Sequence, residues 1–129
     1  MASSSLTGLG DLRRALKQAG ALATPALAAA ALEEQEKVMA VAKSRTPVDV
    51  ATLRGSGTVL PPKVSGSRVE VTAGFGGAAS AYALIQHERL DYHHNVGQAK
   101  YLESAFLEHQ PGMGAALAAG VRRALGRLG

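Results

Sequence analysis

Arg68–Gly74, RVEVTAG, alternates Val69, Val71 and Ala73 with Glu70 and Thr72. A period of two puts the apolar set on one side of an extended chain and the polar set on the other, so the segment predicts a half-buried strand. Gly74, Gly76 and Gly77 interrupt it. The GFGG run lacks the Lys and Ser or Thr that follow a phosphate-cradling loop, and it predicts a bulge or tight turn. Upstream, Leu53–Leu60 contains Thr58, Val59 and Leu60 and stops at Pro61 and Pro62, which predicts a second, shorter strand leading into a turn. Downstream, Tyr82–Gln86 is a compact apolar run too short for periodicity to decide between a third strand and the start of a helix.

On both sides of this region the period lengthens to that of a helix. Leu9, Leu12, Leu16 and Ala19 predict a short amphipathic helix over Asp11–Gln18 that loosens at Gly20. Thr24 followed by Pro25 reads as an N-cap and first helical position. The long helix it opens carries Leu27, Ala31, Val38 and Val41 on one face and a Glu33, Lys37 pair on another, and it must end by Arg45 because Pro47 forces Thr46 out of helical geometry. Leu90–Gly97 is polar and predicts a loop. Gln98–His109 predicts a helix with Tyr101, Leu102, Ala105 and Phe106 on one face, broken at Pro111 and Gly112. Met113, Leu117, Val121, Leu125 and Leu128 predict a last helix, with arginines near its carboxyl end. Amino-terminal helices, a small antiparallel sheet of about three to four strands and carboxyl-terminal helices make an α+β fold. The expectation is one domain over residues 1–129, with 1–23 an arm or short helix ahead of 24–129.

Composition narrows the function. The absence of cysteine excludes a disulfide framework, a thiolate metal site and a cysteine nucleophile. Apolar residues make up 47% of the chain, but aromatics only 4%, and much of the rest is alanine, so the core gains little area and calls for support from a partner subunit. No apolar run approaches the roughly 20 residues that span a bilayer. MASSSLTGLGDLRR lacks the order of a secretion signal, so the chain is expected to be intracellular when made, with no membrane partner. The net charge of +4 is spread out, with concentrations only at Arg13, Arg14, Lys17 and at Arg122, Arg123, Arg127. Without interleaved aromatics or a denser stripe these read as solvated helix faces, with a small basic DNA-binding protein as a rival.

The chemistry-bearing residues crowd into Ala81–Glu103, AYALIQHERLDYHHNVGQAKYLE. His87, Glu88, Asp91, His93 and His94 are the right donor types for zinc, and a small metal-dependent enzyme using this loop is the second rival. The spacing argues against it: the first histidine pair is six residues apart, and adjacent His93 and His94 diverge in any regular structure. Glu88 and Asp91 in a polar loop read as solvated acids, and no serine lies in a nucleophile-elbow pattern. The expectation is no catalytic residue, no metal and no cofactor. Tyrosine joins large contact area to a polar tip, which suits an interface. His87, Glu88, Arg89, Asp91, Tyr92, His93, His94 and Tyr101 are therefore candidates for contacts between subunits, with Tyr82 and Tyr101 equally suited to the core.

AKSRTPVDVATLRGS, VEVTAGF, AYALIQHE and GQAKYLESAFLE stand in the order of the blocks of the tail-component and neck proteins of long-tailed bacteriophages, which the chain resembles over roughly Leu27–Leu128. It departs from that pattern at Val50 and Ala51, where Thr-Gly is usual, and after Glu88, where RLDYHHNVGQAK replaces a short turn. The resemblance implies a non-catalytic virion protein made in the bacterial cytoplasm and placed at the head-tail junction as a neck, tail-completion or tail-terminator subunit. Its partners would be copies of itself in a ring, commonly a hexamer, and the neighbouring connector and tail proteins. It also implies a channel for packaged DNA, for which Arg122, Arg123 and Arg127 are the candidate contacts.

Overall fold

The computed structural model describes residues 2–3, 8–45, 57–75, 79–86, 91–95 and 100–128. The fold is α+β. Strand β1 (Ala2–Ser3) precedes helix α1 (Leu9–Ala19), a 3-10 turn (Gly20–Leu22) and the long helix α2 (Ala23–Arg45). Strands β2 (Thr58–Val59), β3 (Lys63–Ser65), β4 (Arg68–Phe75), β5 (Ala79–Gln86) and β6 (Asp91–Asn95) follow. Helix α3 (Lys100–His109), a second 3-10 turn (Gln110–Gly112) and helix α4 (Met113–Leu128) close the chain.

All strand pairs are antiparallel, in the order β1-β6-β5-β4-β2, with β3 also on β4. The expected alternation in β4 is present. Val69, Val71 and Ala73 are buried, whereas Glu70 and Thr72 are half-exposed, because α2 lies along one side of the sheet. Tyr82–Gln86, left open between strand and helix by its sequence, lies in β5, paired with β4 from Arg68↔Gln86 to Phe75↔Ala79. β3 and β4 form a two-residue hairpin, Ser65 opposite Arg68, where Gly66 takes φ +59°, a conformation that glycine reaches at no steric cost.

The helices begin and end for local reasons. Gly20 closes α1 with φ +57°, and its N–H donates to the Leu16 carbonyl. α2 starts at Ala23, two residues before the Pro25 start that the Thr24 N-cap predicts, because the 3-10 turn runs into it directly. Pro25 still falls in the first turn, where N–H groups have no intrahelical acceptor to lose. α2 ends at Arg45 as expected. The stretch predicted to turn at Thr46 and Pro47, the beginning of the Leu53–Leu60 strand, the GFGG turn at Gly76 and Gly77, and Gln98 lie outside the described residues.

α2 is the central element. It packs on α4, α3, β4 and α1, and its buried positions, from Ala23 through Ala42, include Glu34 and Gln35. Among the described residues, eleven of the 23 buried apolar ones are alanines, so the helices come close together without large side chains between them. A Cβ placed on Gly120 of α4 would lie 2.8 Å from Ala30 Cβ and 3.2 Å from Ala30 Cα. Leu12, Leu16, Leu27, Leu117, Val121 and Phe106 supply most of the remaining bulk, and α1 contributes to the same core as α2 and α4. Among the described residues, no helix is long and apolar enough to cross a membrane.

Candidate functional site

The structure separates the crowded histidine region into parts. His87, Glu88, Arg89 and Leu90 lie outside the described residues. Asp91–Asn95 is not the loop its polarity predicts but strand β6, held between β5 and β1. The register runs from Gln86↔Asp91 to Tyr82↔Asn95 on one side, with Ser3↔His93 and Ala2↔His94 on the other. Backbone pairing runs the full length of the strand on the β5 edge and covers positions 93 and 94 on the β1 edge, so an apolar pattern is not needed to hold it extended.

Register also divides the candidates. Position 92 is in line with Ile85 and Val69, which are buried toward the helices, while position 93 is in line with Leu84, Glu70 and Lys63 on the opposite side of the sheet. Positions 93 and 94 are successive register positions of β6, opposite Leu84 and Ala83. Tyr101 lies in the first turn of α3. Among the described residues, no three His, Asp or Glu side chains gather in a cluster that could hold a metal.

The arginines of α4 occupy a built surface. Arg122 donates to both carboxylate oxygens of Asp11 on α1, at 2.8 and 3.4 Å, and Arg14 lies 3.6 Å from the same carboxylate. Arg123 pairs with Glu33 of α2, and Lys37 lies 3.8 Å from Glu33 and 2.8 Å from the buried Glu34. Each of the two half-exposed carboxylates, Asp11 and Glu33, thus serves two cations drawn from different elements or turns. The hydrogen bond from Arg122 holds the Asp11 carboxyl below the usual carboxylate range and raises the Arg122 guanidinium in return. Arg127 is exposed, and among the described residues no acid pairs with it. Of the three arginines expected to face DNA, two are engaged with carboxylates of the same chain.

Set against protein families, curated proteins and solved structures, the chain matches none.

A shallow groove lies between α2 and β2, lined by Glu36, Met39, Ala40, Lys43, Gly57 and Val59. Beside it Leu60 and Val64, on the outer edge of the sheet, are about half exposed at 47% and 51%. Leu60 donates its N–H to the Thr72 carbonyl, so the segment from β2 to β3 follows β4 across Pro61 and Pro62. A third interhelical polar contact, between Arg45 at the end of α2 and Glu108 and Ser104 of α3, joins α3 to α2. Pro61 is exposed and Pro62 half-buried between β2 and β3, which suits the outer edge, since proline is tolerated only where a strand has no further neighbour.

Proposed function

We propose that the chain is a structural subunit of a bacteriophage virion at the head-tail junction, assembling into a homo-oligomeric ring that joins the capsid connector to the tail tube. The role is geometric and not catalytic. The observation that carries this reading is the order of elements: a 23-residue α2 ending at Arg45, immediately before Thr-Pro-Val, then β4 with its alternating valines, β5 with its Tyr-Ala segment, and α3 formed from the KYLESAFLEH part of the closing block. The described parts of the four blocks, Ala42–Arg45, Val69–Phe75, Ala81–Gln86 and Lys100–Glu103 with the residues that follow it, lie on α2, β4, β5 and α3 in chain order, and this order supports the reading.

Two physical features support it. An alanine-rich core gains little per residue, and burial against neighbouring copies would add to it. The side of the sheet away from α2, with Glu70, Thr72 and Leu84 half-exposed, and the edge at Leu60 and Val64 offer area for such neighbours. The test is complementation. A phage lacking this gene should accumulate full heads and separate tails, and the wild-type chain supplied in trans should restore joined particles. Normal particles without the chain would exclude the reading.

A further inference from the structure

The two concentrations of positive charge stand more than 100 residues apart in sequence, and the fold brings them together. α1 packs along α4, with Gly8, ahead of α1, against Gly114 and Ala115 at the start of α4. α1 carries Arg13, Arg14 and Lys17 with the single acid Asp11, and α4 carries Arg122, Arg123 and Arg127 with no acid. Six of the 14 basic residues and one of the ten acidic ones lie on these two helices. They hold a net +5, and the other residues together a net −1. The positive character of this protein is therefore the property of one ridge. All six cations are exposed, and among the described residues the carboxylates paired with them are Asp11 and, from α2, Glu33.

We propose that the α1–α4 ridge binds the phosphate backbone of duplex DNA without regard to sequence. Five of the six cations are arginines, whose planar fork matches phosphate oxygens and is only weakly hydrated. The pairing with Asp11 and Glu33 holds Arg122 and Arg123 in place, while Arg13, Lys17 and Arg127 are the outward cations. The ridge has no aromatic side chain to stack on unpaired bases, which favours a duplex over a single strand. The apolar faces of both helices, Leu12 and Leu16 on one and Leu117 and Val121 on the other, are buried in the core and have nothing to insert into a lipid surface. This inference does not rest on the head-tail reading, since a purified chain can be tested alone.

The experiment is fluorescence anisotropy of a labelled duplex of about 25 base pairs against the full chain, over a salt series. Four phosphate contacts give log K a slope of about −3.6 against log salt. Arg13→Gln, Lys17→Gln and Arg127→Gln together should weaken binding at least tenfold and flatten the slope to about −1, because three of those contacts are gone. A control with the same charge loss on other elements, Lys43→Gln, Lys63→Gln and Arg68→Gln, should keep the parent slope, with circular dichroism confirming both folds. The proposal is overturned by no binding at 50 mM salt, by equal loss in the two triple variants, by tighter binding to phosphatidylserine vesicles, or by displacement of the duplex by an equal charge of polyglutamate.

Discussion

Gly120→Ala is the sharpest probe of how this alanine-rich core is built. In an isolated helix the change is favourable by about 1 kcal/mol, since glycine is the poorest helix former after proline. In this fold the new methyl would meet Ala30 Cβ at 2.8 Å and Ala30 Cα at 3.2 Å. Carbon atoms rest at about 3.5–4.0 Å, so α2 and α4 must separate by several tenths of an ångström or more, and overpacking of this kind costs about 1–3 kcal/mol. The two terms nearly cancel or leave a net loss of up to about 2 kcal/mol. Gly126→Ala, on the same helix, meets nothing within 4 Å and should keep the whole propensity gain. The two variants should therefore differ by about 1–3 kcal/mol, or roughly 4–12 °C in Tm for a chain of this size, with Gly126→Ala the more stable. Ala30→Gly added to Gly120→Ala should recover part of the difference, but not all, because Ala30 Cα remains close. Urea and thermal unfolding of the parent and these three variants measure this. If Gly120→Ala stabilises as much as Gly126→Ala, α2 and α4 do not meet at these residues.

The carboxyl of Asp11 is depressed by Arg122, so it contributes stability above the ordinary carboxylate range, and that contribution is lost as pH falls through its lower folded-state value. Asp11→Asn should then flatten the loss of stability below about pH 4, as read by Tm against pH, and an unchanged acid limb would show that the pair contributes nothing. Position 94 is paired with Ala83 on one side and Ala2 on the other, so His94→Pro removes a ladder donor and should cost about 1–3 kcal/mol in urea unfolding. A loop at that position would tolerate the proline, and a stability within error of the parent would refute strand β6.

The sequence was informative where a side of an element is simply covered or simply wet. β4 alternates because α2 covers one side of it, and α2 stops at Arg45 ahead of a proline, and both effects are local. The region from Asp91 to Asn95 misled because its strand is specified by pairing to β5 and β1, which no local pattern records. The hairpin at Gly66 is signalled by Ser-Gly-Ser between Val64 and Val69, a turn composition that stands close to the stronger break at Pro61-Pro62. The positive ridge was read as scattered charge because its halves lie at the two ends of the chain, and only the packing of α1 on α4 joins them. By predicted element, the two terminal helices hold all of the excess positive charge. The pairing of Arg122 with Asp11 and of Arg123 with Glu33 spans 111 and 90 residues and has no sequence signature.

The most direct measurement is electron microscopy of the assembled particles with this chain labelled at its carboxyl end. The expected result is ring-shaped density carrying the label between capsid connector and tail tube. Particles that join heads to tails while the label stays in the soluble fraction as a monomer would contradict the central claim.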